Sequence, residues 1–243
     1  MNNDSLILYK YVSLEVAMLI TLSSTLKFTN PANFNDPFDC NISRLKFDLS
    51  EELDPLVEKD IHELRKQFNN NSEITPELVE KGIGEMQIKK IKKSSICCFS
   101  FIPDNPLMWA HYSDKHNGAC LVFNNSIKNK YIGIPDERVT ENHVNYLPFT
   151  ITNYCKNKKE GILTLFATKS IDWMYEEEYR HILLEEERCL KFNPEFLLGI
   201  IFGMKVKDEE INSFRSICES KKVPLVYKRA IKEEDRLRIL DIA

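Results

Sequence analysis

Three glutamates and an arginine meet in "WMYEEEYRHILL", residues 173–184. In extended backbone successive side chains alternate, so Glu176, Glu178 and Arg180 fall on one strand face and Glu177, Tyr179 and His181 on the other. Two carboxylates beside a guanidinium can bind a metal, divide acid and base roles, or stabilise a cationic transition state while fixing a sugar hydroxyl. The structural alternative is a solvated strand edge with a surface ion pair. A second polar concentration is "FTNPANFNDPFDC", Phe28 to Cys40. Asn35 and Asp36 predict an Asx-type turn into Pro37, with Phe34 and Phe38 anchored in the core. Such a turn either aims polar groups at a ligand or is structural, with Asp36 or Asp39 pairing with Arg180. In "NPLMWAHYSDKHNG", Trp109 and Tyr112 share a helix face and read as core aromatics. His111 and His116 are five residues apart, poor spacing for two metal ligands on one helical turn. "YKY", Tyr9 to Tyr11, alternates across a strand with Lys10 opposite the two tyrosines.

The elements that must hold these residues are legible in outline. "SLILYKYV" reads as a strand ending at Ser13, which caps a helix over Leu14 to Leu22, and "TLKFT" as a second strand. Asp54-Pro55 and Thr75-Pro76 each place a capping residue before proline, opening two amphipathic helices within an insertion at about 50–93. Val57, Ile61, Leu64 and Phe68 mark the buried face of the first. "SSICCFSF" and "ACLVF" read as buried strands around a short helix that starts at Asn105-Pro106. Another helix is expected near "EGILTLFATKS". The chain then reads as strand "LGIIFG", a helix from about Asp208 to Lys221, and strands "VPLVYKRA" and "RLRILDI". Strands outnumber simple βαβ alternation. The expected fold is therefore α+β, a single mixed domain over 1–243 with central β-sheets and peripheral helices.

Composition closes several doors. The 33 basic and 37 acidic residues give a formal charge of −4, so no global basic field attracts nucleic acid. "KKIKK", Lys89 to Lys93, fits a solvated helix end better than a nucleic-acid contact. Seven cysteines without a CxxC pair fit neither a disulfide framework nor a zinc site, and point to a cytoplasmic location. Met1 leads into polar "NNDS" and a short apolar run, so neither a secretory signal nor a membrane span is expected. No P-loop, GxGxxG, GxSxG or HExxH motif occurs.

Taken together and in order, "LYKY", "LKFTNPANFNDPFDC", "MWAHYSDKHNGACLVF" and "WMYEEEYR" resemble a large bacterial family known only as a domain of unknown function. A more distant resemblance is to ADP-ribosyltransferases. These place a polar or aromatic residue on an early strand, a small hydroxyl motif on a second, and a catalytic glutamate, often within Glu-x-Glu, at the edge of a later one. Lys10 and Tyr11 would fill the first place, Phe28 and Thr29 the second, and Glu176 to Glu178 the third. Lys10 stands where arginine or histidine is usual, and "FTN" replaces a hydroxyl-rich triplet.

This resemblance implies an ADP-ribosyltransferase-like fold with NAD as substrate and no metal. Glu178 and Glu176 are the expected catalytic pair. Tyr9 or Tyr11 would stack on nicotinamide, Thr29 would steady the glutamate or ribose, and Lys10 or Arg180 would meet phosphate. Asn35 and Asp36 would face the cofactor. Tyr9, Thr29, Asn35 and Glu178 are thus expected in one pocket. The acceptor would be RNA, DNA or protein, and an antitoxin or inhibitor protein could restrain an enzyme of toxin or phage-defence type. Two other classes fit the same residues. Asp36, Asp39, Glu176 and Glu178 could gather Mg²⁺ for a nuclease, with Lys169 or Lys10 as catalytic lysine, or the pocket could serve a noncatalytic nucleotide sensor.

Overall fold

Local signals start and stop the elements where the sequence places them. The computed structural model describes residues 7–67, 75–124, 127 and 131–242. Strand β1 (Ile7–Val12) ends at Ser13, whose hydroxyl accepts from the Val16 amide and opens α1 (Leu14–Ser23). Ser24, left-handed at φ 53°, closes that helix and turns the chain into β2 (Thr25–Phe28). After β3 (Leu45–Lys46) come α2 (Pro55–Gln67) and α3 (Pro76–Lys92), the latter capped by Thr75. Strand β4 (Ser95–Ser100), α4 (Pro106–Tyr112) and β5 (Ala119–Asn124) follow, with Asn105 capping α4. The middle of the chain forms β6 (Val139–His143), β7 (Asn145–Tyr146), β8 (Thr152–Asn153), α5 (Lys158–Phe166) and β9 (Thr168–Lys169). The last third supplies β10 (Glu178–Leu183), β11 (Arg188–Lys191), β12 (Leu197–Phe202), α6 (Asp208–Ser220), β13 (Val226–Glu233) and β14 (Arg236–Asp241).

The architecture is α+β, as expected. Eight strands form one mixed sheet in the order β14-β13-β12-β5-β1-β4-β10-β6, parallel between β12 and β13 and antiparallel elsewhere. The first strand in the chain therefore sits mid-sheet. It pairs with β5 along its length, from Ile7↔Asn124 to Val12↔Ala119, but meets β4 at Tyr9↔Ser100 alone. Beyond that pair the sheet is split.

Each face of the sheet is covered differently. On one, Leu8, Leu121, Phe123 and Ile200 pack beneath Ala17 and Ile20 of α1 and Phe214 of α6. The other carries two separate packs. Tyr11, Cys120 and Ile201 lie under Met108 and Trp109 of α4. Ile96 and Ile182 lie under Leu165 and Phe166 of α5, with Val57, Ile61 and Leu64 of α2 and Val79 and Ile83 of α3. The helices of the 50–93 stretch thus extend the core over β4 and β10; Phe68, expected on the same face, lies outside the described residues. Phe38, expected in the core, is 70% exposed, because the Asx turn at Asp36 throws it outward while Phe34 packs inward.

Candidate active site at the split of the sheet

Strand alternation decides which side chains meet. Tyr9 and Glu178 both register with Ser100, from opposite sides of β4. Tyr9, Tyr11, Cys98, Ser100, Glu178 and Arg180 therefore share one side of the sheet. Between the two packs on that side lies a cleft of about 410 Å³ that runs into the split. Its aromatic wall is Tyr9 and Tyr11, its roof Phe34 and Asn35, and its far side Met108, His111 and Tyr112 of α4. Thr29 stands in the split, and Lys169, Glu176 and Glu178 form the charged end. Thr29 bridges Ile96 through both backbone groups, at 2.9 and 2.8 Å, and so ties β2 to the open edge of β4. Lys10 reaches across the split to the Cys98 carbonyl at 2.9 Å and lies over the Phe99 ring.

Glu176 arrives by a route that alternation does not describe. Residues Ile171–Glu176 form a 3₁₀ turn, Glu177 takes a left-handed φ of 41°, and β10 begins only at Glu178. The expected strand face shared by Glu176 and Glu178 is thus corrected to a kink that swings both carboxylates toward the cleft and leaves Glu177 exposed. Ser100 pins the kink by donating to the Glu176 carbonyl at 2.7 Å, and the Phe101 amide holds the Glu177 carbonyl at 3.1 Å.

A continuous chain of polar contacts links the motifs. Asn35 Nδ2 donates to the Tyr112 hydroxyl at 3.2 Å, which donates to Glu176 Oε1 at 2.6 Å. Lys169 Nζ binds Glu176 Oε2 at 2.6 Å and lies 3.5 Å from Glu178 Oε2 and 3.8 Å from Asp39 Oδ2. Arg180 grips Glu178 through Nε and Nη2, at 2.9 and 3.0 Å. It grips Asp39 through Nη1 and Nη2, at 2.9 and 2.5 Å, and donates to the Phe166 carbonyl at 2.9 Å. This is a two-sided carboxylate fork, among the strongest arrangements a guanidinium makes.

Two expected ligand contacts are corrected by this geometry. Arg180 is completely buried, its donors committed to Glu178, Asp39 and Phe166, and it does not line the cleft; it holds Glu178 rather than meeting a phosphate. Asp36 likewise stands behind the wall, where its carboxylate accepts from the Phe38 amide at 2.9 Å and builds the turn. Asp39 is the acid that pairs with Arg180. Tyr9, Lys10, Tyr11, Thr29, Asn35, Glu176 and Glu178 do line the cleft. Tyr11 is held at both ends: its hydroxyl donates to the Ile102 carbonyl at 2.7 Å and its ring meets Trp109 edge-on.

Electrostatics separate the two glutamates. Burial pushes Glu178 up, but Arg180 and then Lys169 outweigh it and hold the carboxyl down at about 2. Burial, followed by the Glu178 charge, pushes Glu176 above the usual carboxylate range against the pull of Lys169 and Tyr112. Burial opposes the charge on Lys169, yet Glu178 and Glu176 more than restore it, so the lysine stays protonated. One acid is kept ionised and its neighbour is drawn toward the proton-bearing form, the division that acid–base chemistry uses. Tyr146 adds a brace, its hydroxyl accepting from the Glu178 amide at 2.8 Å.

Tyr112, read from the sequence as a core aromatic, and Tyr146 are the site residues that the motifs did not reveal. Spacing gives no signal for either, since each acts through a contact that is long-range in the chain. Lys169 was visible only as a candidate for metal-assisted chemistry. Among the described residues no group of three His, Cys, Asp or Glu side chains is arranged to hold a metal ion, and no helix is long and apolar enough to cross a membrane.

Comparison with known proteins yields a family model and nothing closer. No curated protein matches the chain, and no solved structure does. The model of a family described as "Protein of unknown function (DUF2971)" matches residues 108–181. The segment similar to that family therefore runs from α4 through Lys169 to Arg180 and carries most of the charged end of the cleft.

Proposed function

We propose that the cleft binds NAD and that the protein is an ADP-ribosyltransferase, with a fold of that type assembled around the split. The observation that carries this reading is the glutamate pair. Asp39, Glu176 and Glu178 face Lys169 and Arg180, and Glu178, held ionised by those two cations, stands at the charged end of an aromatic-walled cleft. Such a charge favours a cation that develops beside it.

The reaction follows from that placement. The bond between C1′ of ribose and the nicotinamide nitrogen breaks, its electron pair leaves with neutral nicotinamide, and C1′ gains oxocarbenium character opposite Glu178. An acceptor nucleophile then attacks C1′ and passes its proton to Glu176. Tyr9 stacks on the nicotinamide, and Thr29 and Asn35 hold ribose hydroxyls. Lys10 is the cleft lysine for the diphosphate, because Lys27 is paired with Glu187 at 2.7 Å and Lys169 with Glu176, whereas Lys10 has no ion pair among the described residues. The acceptor is RNA, DNA or protein, and the setting is a toxin or phage-defence system.

A noncatalytic nucleotide sensor is the second reading, favoured by one contact: Lys169 already sits between the two carboxylates a ribose would approach. The nuclease reading is weakened because Asp39, Glu176 and Glu178 each hold a cation and Asp36 a backbone amide.

The deciding experiment incubates the purified protein with labelled NAD and separates nucleic-acid from protein acceptors, with EDTA in a parallel reaction. Glu178→Gln keeps the shape and removes the charge. NAD binding should survive while turnover falls by roughly two orders of magnitude or more, the scale of lost preorganised electrostatics. A melting curve shows that the variant is folded. Full turnover by Glu178→Gln refutes the mechanism, loss of the wild-type reaction in EDTA moves it to the nuclease, and binding without turnover moves it to the sensor.

A further inference from the structure

Away from the cleft, helix α1 presents a puzzle that the function above does not use. Its sequence, "LEVAMLITLS", is apolar nearly all round, a pattern that ordinarily belongs to a helix covered on every side. Ala17 and Ile20 do face the core, yet Leu19 is 61% exposed, Leu22 44% and Val16 40%. Beside them runs a groove of about 610 Å³ between α1 and α6, floored by Leu14, Met18, Phe214 and Ile217. On helical spacing Leu22 continues the row begun by Leu14 and Met18, so the apolar strip runs beyond the groove along α1.

The rim of this groove has one sign. Glu15, Asp114, Glu209 and Glu210 line it, no lysine or arginine does, and none of the four acids has an ion pair among the described residues. Glu15, Glu209 and Glu210 stand in the first turns of their helices, where the dipole favours them, but that accounts only for the charges. It does not account for the exposed Val16, Leu19 and Leu22 next to them.

We propose that the α1–α6 groove is a docking surface for a basic amphipathic helix of a protein partner, whose apolar stripe lies on Met18, Leu22 and Ile217 while its lysines or arginines meet Glu15, Asp114 and Glu209. Helix-in-groove recognition needs both halves of this description: apolar anchors at i, i+3 and i+4 spacing, and a rim of opposite charge that sets orientation and speeds encounter. The acidic rim repels the phosphates of nucleic acids and of anionic membranes, which leaves a protein segment as the occupant. The surface is independent of the NAD reading. It adjoins the cleft through the chain, however, because α1 follows β1 directly and Asp114 follows α4.

The probe is a synthetic helical peptide of about five turns, roughly eighteen residues, with leucine on one stripe and lysine elsewhere, beside a control with glutamate in place of each lysine. Fluorescence anisotropy on the full chain should show saturable binding of the lysine peptide at roughly micromolar concentration, weakening as salt rises. Leu22→Asp and the Glu15→Lys/Glu209→Lys pair should each weaken it at least tenfold, and Glu85→Lys on α3 should leave it unchanged. All these positions are exposed, and Glu15→Gln/Glu209→Gln serves if the lysine pair melts early. Absence of saturation, equal binding of the glutamate peptide, or affinity unaltered by the groove substitutions overturns the proposal.

Discussion

Replacing Arg180 by methionine tests the electrostatic account of the site through folding alone. Methionine fills much of the same volume, so the loss is mainly one of charge. Two routes give its size. Removing one partner of a buried, hydrogen-bonded ion pair costs about 3–5 kcal/mol, because the remaining charge stays buried without compensation. Independently, a Glu178 carboxyl lowered from 4.5 to about 2 corresponds to about 3 kcal/mol of stability at neutral pH. Both place the loss well above that of an ordinary surface ion pair, and at about 2–4 °C per kcal/mol the melting temperature should fall by roughly 6–20 °C. The pH dependence is the sharper signature. A depressed carboxyl contributes stability above its unfolded value, about 4.5, and loses it as pH falls through about 2. The Glu178 share should therefore shrink from about 3 kcal/mol at pH 7 to about 1 kcal/mol at pH 3. Urea unfolding of the wild type and of Arg180→Met at both pH values measures this directly. A cost below about 1 kcal/mol at pH 7, or one that is the same at both pH values, would show that Arg180 is not what holds Glu178 ionised.

Other consequences are as open to measurement. Trp109 is completely buried, donates from Nε1 to the Pro103 carbonyl at 2.8 Å and meets Tyr11 edge-on, so Trp109→Ala should cost roughly 3 kcal/mol or more in denaturant unfolding; wild-type stability with lost activity would move the residue into the ligand site. Tyr112→Phe removes the hydroxyl that lowers Glu176, so the acidic limb of the pH–rate profile should move to higher pH, since a carboxyl raised further loses its proton later. An unmoved limb would separate Glu176 from the acceptor's proton.

Much of the fold was legible because its local signals are strong and mutually consistent. Ser13, Thr75 and Asn105 cap the helices they were expected to cap, and the short apolar runs form the expected strands. At the site, Tyr9, Thr29, Asn35 and Glu178 come to one cleft although up to 169 residues separate them in the chain. What the sequence concealed is long-range or depends on one dihedral angle. Alternation fails at Glu176 because Glu177 is left-handed, an outcome no residue type there announces. Arg180 looked like a ligand contact because a chain of letters does not say that Asp39 and the Phe166 carbonyl will close around it. Phe38 carried the weight of its type toward the core, and the Asx turn overruled it.

The single registered pair between β1 and β4 has a consequence for the width of the cleft. Two half-sheets joined at one point form a seam, and the angle across a seam sets the aperture between them. Two braces span it: Lys10 Nζ donates to the Cys98 carbonyl at 2.9 Å, and Thr29 bridges Ile96 on the open edge of β4. A change at either brace would therefore alter the aperture while Glu178, held from β10 by Arg180, stays in place. The width open to a guest is thereby set apart from the carboxylates that the guest would meet.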